Sequence, residues 1–257
     1  MLLCIDIGNT NIVLGLYEGQ TLLQHWRIAT GRERLADEYG PLLLVQLEHA
    51  GRPAGDIRDA ILASVVPPLT GVFVEVGRRY VGVETLVVDA GIRTGVRMRV
   101  DNPREVGADR VVDAAAAFRK YGGPACVVDF GTATTFDAIS AKGEYLGGAI
   151  APGIGLAARA LAERTAKLPR VEIAPPPHVI GRNTVHSMQS GLFHGYIGLV
   201  EGMVARFRQE LGPEMHVVAT GGLAELISQA TEVFDVVDPW LTLEGLRLIY
   251  EMNREGR

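Results

Sequence analysis

Two short apolar runs, each ending in an acid, divide the chain into similar halves. Leu2-Leu3-Cys4-Ile5 leads into Asp6-Ile7-Gly8-Asn9-Thr10-Asn11, and Ala125-Cys126-Val127-Val128 leads into Asp129-Phe130-Gly131-Thr132-Ala133-Thr134-Thr135. After the first come Ile12 to Tyr17, a Glu18-Gly19 turn, and Thr21 to Ile28, rich in strand formers. After the second come Thr135 to Ser140, a Lys142-Gly143 turn, and Tyr145 to Ala151. The spacing from acid to turn glycine is 13 residues in one half (19 minus 6) and 14 in the other (143 minus 129). Each half is therefore predicted to open as a three-strand meander with an acid at its first bend.

Further segments repeat. Ile61 to Ser64 and Val217 to Thr220 read as short buried strands ending in a small hydroxyl residue. Val65-Val66-Pro67-Pro68 and Gly221-Gly222 then supply turn signals. Helical patterns fill the gaps: Leu35 to Ala50 before Gly51, Val111 to Tyr121 before Gly122-Gly123, Gly155 to Leu168 before Pro169, Asn183 to Leu211, and Thr242 to Met252. Strands followed by helices, twice over, predict a duplicated α/β protein with a cleft between its halves. The expected division is 1–115 and 116–257.

Composition narrows the class. With 257 residues, 47% hydrophobic and 21% charged, the chain can build a core and is not disordered. A net charge of -5 argues against nucleic acid as the main partner, because phosphate backbones are met by basic surfaces. Two cysteines, Cys4 and Cys126, cannot form a disulfide framework and read as core residues of a reducing compartment. No basic n-region or long apolar stretch opens the chain, and Asn183 to Val200, free of charge, is too polar for a membrane span. The expectation is a soluble, cytoplasmic protein.

The bends carry the chemistry. Glycine lets backbone N–H groups turn toward an anion, and Thr10, Thr132 and Thr134 add hydroxyl donors. Asp6 and Asp129 would repel phosphate unless a cation intervenes, and magnesium binds through one or two carboxylates plus water and phosphate oxygens. Neither bend contains Lys or Arg. A triphosphate with a metal, held by both halves, suits this pattern. No G-x-x-x-x-G-K-[ST] or H-E-x-x-H occurs. Gly153-Ile154-Gly155-Leu156-Ala157-Ala158 reads as a strand-to-helix turn, and His186 and His194 as packing residues.

Between the halves lies Asn102-Pro103-Arg104-Glu105-Val106-Gly107-Ala108-Asp109-Arg110. Asn102, Pro103 and Glu105 read as a helix start; Gly107 interrupts it, and Asp109 begins the next helix. Helix-dipole stabilisation explains an acid there, but at a hinge where an acceptor would enter it can also serve as general base. Arg110 could meet a substrate carboxylate with its planar fork. Asp113 reads as structural.

At these residues the chain resembles the type III pantothenate kinases, members of the acetate-and-sugar-kinase, heat-shock-chaperone and actin superfamily. The resemblance runs nearly the whole length: Asp6 to Asn11, Asn102-Pro103, Gly107 to Arg110, Asp129 to Thr135, Gly148 to Gly155, Gly181 to Thr184, and Gly221-Gly222. It implies a duplicated ribonuclease-H-like, actin-like ATPase fold and ATP-dependent phosphorylation of pantothenate to 4'-phosphopantothenate, the first step of coenzyme A biosynthesis. It further implies that Asp109 is the base toward the primary hydroxyl, that Gly107, Ala108, Asp109 and Arg110 line the pantothenate site, and that Thr184 touches that substrate. Asp6, Ile7, Gly8, Asn9, Thr10, Asn11, Ile12, Val13 and Thr132 would hold ATP, with Gly221 and Gly222 at the adenosine. Asp129 resembles the ligand of a monovalent cation, potassium or ammonium, required beside Mg2+; Asp6 is the other candidate metal ligand. Val100 stands where some members carry a substrate-touching Tyr. Alternatives are a kinase of another hydroxyl or carboxylate substrate on the same fold, and a nucleotide-dependent regulatory (transcriptional accessory) protein.

One helix suggests a partner. From Asn183, apolar Val185, Met188, Leu192, Tyr196, Leu199, Met203 and Phe207 recur every three or four positions, with Gly191, Gly195, Gly198 and Gly202 on another face. Four helical glycines cost about 3–4 kcal/mol relative to alanine. Close backbone approach by a neighbouring element could offset that, and the family resemblance implies a homodimer through the helix 183–211.

Overall fold

The computed structural model describes residues 1–254. Packing separates two units: Met1–Ala116 together with the C-terminal segment from Leu241, and Ala117–Trp240. The first contains β1 (Leu2–Ile7), β2 (Asn11–Glu18), β3 (Thr21–Ala29), α1 (Ala36–His49), β4 (Asp59–Ser64), α2 (Pro67–Val76), β5 (Thr85–Val87) and the two-residue β6 (Arg97–Met98). Helix α3 (Ala108–Tyr121) carries the chain across the boundary into β7 (Ala125–Phe130), β8 (Ala133–Ile139), β9 (Glu144–Pro152) and α4 (Ile154–Glu163). Then come α5 (Thr184–Leu211), β10 (His216–Thr220), α6 (Ala224–Ser228), β11 (Val236–Val237) and, in the first unit again, α7 (Leu241–Arg254).

The two units repeat one topology. The first sheet runs β3-β2-β1-β4-β5, and the second unit contributes the corresponding order β9-β8-β7-β10-β11. In each, the opening three strands pair antiparallel and the last two join in parallel. Asp6 pairs with Val13 and Ala63, and Asp129 pairs with Thr135 and Thr220. This is the duplicated ribonuclease-H-like α/β fold expected from the sequence.

Period-two alternation positions the acids. Leu3, Ile5 and Ile7 of β1 join the core formed with Tyr39, Leu43 and Leu47 of α1 and Leu69, Phe73 and Val76 of α2. Cys126, Val128 and Phe130 of β7 likewise join Leu192, Phe193, Tyr196, Ile197 and Val200 of α5. Asp6 and Asp129, one step out of phase, point to the other face of their sheets, each as the one incompletely buried residue of a six-residue strand.

Several elements depart from the expectation. The C-terminal helix does not end a second segment 116–257; α7 packs on β1, β2 and β4 of the first unit. Pro67 and Pro68 open α2 instead of closing a turn, because a first-turn position needs no N–H. Asn102 begins only a 3-10 turn, Pro103–Glu105, in which its Nδ2 donates to Glu105 Oε1 at 2.6 Å. The helix expected to reach Leu168 stops at Glu163. On α5 the apolar stripe is mostly spent inside its own unit: Met188, Leu192 and Tyr196 are buried, and Leu199, Met203 and Phe207 pack on the core. Only Val185 of that stripe is exposed.

Candidate active site

The first bend is braced from outside. Between β1 and β2, Gly8 N–H donates to the Asn11 carbonyl at 3.0 Å. Ile7 and Ile12 are wholly buried, so those two positions can offer a ligand only main-chain atoms. Asp6 and Val13 are half-buried, and Asn9, Thr10 and Asn11 are exposed. The segment after β3 then folds over this loop. Thr30 Oγ1 donates to Gly8 O at 2.7 Å, and Thr30 N–H donates to Thr10 O at 3.0 Å. Arg32 Nη2 donates to Asn9 Oδ1 at 2.8 Å.

The candidate base belongs to the same unit as that bend and is linked to it by two steps. Val65 N–H donates to Ile7 O at 3.0 Å, carrying the β1–β4 pairing one residue further. A methyl group on Gly107 would stand 3.3 Å from Val65 Cγ1 and 2.5 Å from Asp109 Oδ1. Space around Gly107 is thus tight, and both the Asp109 carboxylate and Val65, the residue that follows β4, lie close to it. Asp109 is half-buried in the first turn of α3, where its Oδ1 accepts the Arg110 N–H at 2.8 Å and the helix dipole favours its charge. Ala108, Arg110 and, after β6, Val100 are also half-buried.

The second bend has its own supports. Gly131 N–H donates to Ala133 O at 3.1 Å, and Gly153 N–H donates to Thr132 O at 3.1 Å. A methyl on Gly153 would stand 2.2 Å from that Thr132 oxygen, so the turn entering α4 lies directly on the bend. Gly221, after β10, has φ of +90° and would place a methyl 2.3 Å from Asp129 Oδ1 and 2.7 Å from the Phe130 nitrogen. Thr132 and Gly222 are exposed beside these groups. Thr184 is the exposed first residue of α5, whose cap Asn183 accepts the His186 N–H at 2.8 Å.

Among the described residues no three His, Cys, Asp or Glu side chains converge on a metal position. Asp6 and Asp129 each offer hard carboxylate oxygen. Each of these carboxylates, taken within its own unit, is a donor of the kind that suits a cation which takes the rest of its shell from water and phosphate, as magnesium does. Within the first unit the structure joins the bend, Gly107 and Asp109; within the second it joins Asp129, Thr132 and Gly221. Sequence reasoning missed Thr30, Arg32, Val65 and the packing of Gly153. Their contacts are made by main-chain and side-chain groups far along the chain, for which spacing carries no signal.

Known proteins resemble this chain over its whole length. A family profile for type III pantothenate kinases matches residues 2–206. A Moorella thermoacetica protein named type III pantothenate kinase is 58% identical over 254 residues, covering 98% of this chain and 100% of the relative. A Roseiflexus protein of the same name is 58% identical over 254 residues, covering 99% and 100%. Among solved structures, a Campylobacter jejuni protein described as a Baf family transcriptional activator superposes with a TM-score of 0.63 and 18% identity. It covers 98% of this chain and 99% of its own, and the likeness speaks for the fold alone.

Proposed function

This chain belongs to the type III pantothenate kinase family, and from that membership we propose how its parts divide the reaction. The enzyme is a phosphotransferase with an alcohol acceptor. It transfers a phosphoryl group from ATP to pantothenate, forming 4'-phosphopantothenate on the way to coenzyme A. The observation that carries this is 58% identity to enzymes of that name across essentially the full length.

Phosphoryl transfer asks a protein mainly to position the reactants and offset charge. Asp109 accepts the proton of the primary hydroxyl as its oxygen attacks the terminal phosphorus in line. Its link to the first bend, by way of Gly107, Val65 and Ile7, supports that role. Gly107, Ala108 and Arg110 line the pantothenate site with Val100 and Thr184, and the Arg110 guanidinium faces the substrate carboxylate. Asp6 to Val13 and Thr132 hold ATP, Ile7 and Ile12 through their main chain; Gly221 and Gly222 receive the adenosine. Magnesium at Asp6 and a monovalent cation, potassium or ammonium, at Asp129 would supply neutralisation of phosphate charge. The protein works in the cytoplasm as a homodimer joined through α5.

A coupled ADP-release assay with pantothenate, acetate and a hexose, with and without potassium, tests the reading. ADP should appear with pantothenate alone among the three acceptors, and faster with potassium. Release with acetate or hexose in place of pantothenate overturns the substrate. ATP binding with no release on any acceptor points instead to a nucleotide-dependent regulator.

A further inference from the structure

We propose that Arg32 is a ligand of the terminal phosphate of ATP, delivered to the first bend by the segment that follows β3. The proposal rests on the reading of Asp6 to Val13 as the nucleotide's bend. That bend has an acid and no cationic side chain of its own, and the same is true of Asp129 to Thr135. The fold removes the deficit at the first bend by bringing in an arginine from another segment.

The delivery is firm. Thr30 makes two hydrogen bonds to the bend, at 2.7 and 3.0 Å. Gly31 N–H donates to the Tyr39 hydroxyl at 2.9 Å, and that hydroxyl donates back to the Gly31 carbonyl at 3.1 Å. Arg32 follows immediately, with Nη2 on the Asn9 side-chain oxygen at 2.8 Å. Asn9 is neutral, so this contact orients the guanidinium without cancelling its charge, and a guanidinium has N–H donors to spare.

Its neighbours differ. Arg34 lies 4.0 Å from Glu38 and over the Tyr39 ring at 5.8 Å, and Glu38 also accepts the Leu35 N–H at 2.9 Å. Arg34 thus faces a carboxylate of its own at the start of α1, in an exposed pair of small energy, whereas Asn9, the partner of Arg32, is neutral. Beside them opens a cavity of about 550 Å³ lined by Gly31, Arg32, Glu33, Arg34 and Glu38. Glu33 and Glu38 disfavour free anions there, which leaves the Asn9 side of Arg32 as the phosphate-facing one.

The position of the base selects which phosphate. Asp109 and Val65 both lie close to Gly107, and the Val65 N–H is hydrogen-bonded to Ile7 O at the root of the bend. The phosphorus attacked by a hydroxyl at Asp109 therefore belongs to the end of the nucleotide held at this bend. A cation at the bend's tip then meets the transferring group, which ATP has and ADP lacks.

The experiment is calorimetric titration of a non-hydrolysable magnesium imidotriphosphate analogue and of magnesium ADP into wild type, Arg32→Ala and Arg32→Lys, with kcat and KM for ATP alongside. Arg32→Ala should weaken the triphosphate about 10- to 100-fold, the range for losing a charged hydrogen bond, while ADP affinity moves less than about threefold. Arg32→Lys should recover part of the loss, because it restores charge without the fork. Wild-type triphosphate affinity in Arg32→Ala overturns the proposal, as does equal weakening of both nucleotides with a lowered melting temperature, the mark of a loop brace. An Asp6→Ala control separates the layers. If it abolishes nucleotide binding while Arg32→Ala does nothing, the proposal alone fails; if it leaves both affinities unchanged, the reading of the bend fails too.

Discussion

With Asp109 proposed as the base, a single-atom change there is the most direct test of the reaction. Asn at this position still accepts the Arg110 N–H that Asp109 Oδ1 takes at 2.8 Å, but it cannot take up a proton. Asp109→Asn should therefore lower turnover by about 10²–10⁴, with ATP affinity nearly unchanged, measured by steady-state kinetics and calorimetry. A variant with most of its turnover intact removes Asp109 from the mechanism. The sequence offered the acid and the helix start around it, but not the approach of Gly107 to Val65, which depends on a strand end distant along the chain. The two thiols make a second residue-scale case. Burial, the largest cause, raises Cys4 well above the ordinary 9.0; Arg247 pulls against it, while Glu244 and Glu251 add to it. Burial also raises Cys126, with Asp137 adding and Arg208 opposing. A thiol harder to ionise when folded contributes stability below pH 9.0, and that contribution is lost as pH climbs above it, since the unfolded thiol ionises first. Neither thiol should react with an aromatic disulfide reagent at about pH 8 in the native protein, and both should react in denaturant. Rapid native labelling of either would contradict their burial.

At the scale of elements, the turn after β10 shows where backbone freedom permits a close approach. Gly221 has φ of +90°, and a methyl there would meet the Asp129 carboxylate at 2.3 Å. Gly221→Ala should cost more than the backbone strain of about 1–2 kcal/mol alone, because the methyl also meets the Phe130 nitrogen at 2.7 Å, and it should push the Asp129 carboxylate aside, blunting the response of activity to potassium. Gly212, at the end of α5, supplies the control: its φ is +99°, yet nothing lies within 4 Å of a methyl. Gly212→Ala should show the strain in a urea melt without the change in potassium response. If both variants respond alike to potassium, the contact between Gly221 and Asp129 has no bearing on the cation. The central strands were readable because an apolar run, a period of two and an acid at a bend coincide in each half. The outer strands β5 and β11 were not, being only three and two residues long, too short to display any period. Nor was α2, whose Pro67-Pro68 start reads equally well as a turn until the tertiary structure decides.

For the molecule as a whole, α5 poses the remaining energetic question. Gly191, Gly195 and Gly198 are exposed, and a methyl on any of them would meet nothing within 4 Å in the single chain. Alanine at all three should then favour the helix of an isolated protomer by about 2–3 kcal/mol. The same methyls would hold back a second copy whose backbone comes close along this stripe, so stability and assembly should move in opposite directions. Val179, Ile180 and Val185, at 67%, 84% and 42% exposure near the start of the same helix, add apolar surface that a second copy would cover. Wild type should sediment as a dimer at micromolar concentration, and the triple alanine variant should shift toward monomer while its concentration-independent unfolding midpoint rises. A monomeric wild type would remove the homodimer, and a variant that dimerises as tightly as wild type would place the contact elsewhere than on this stripe.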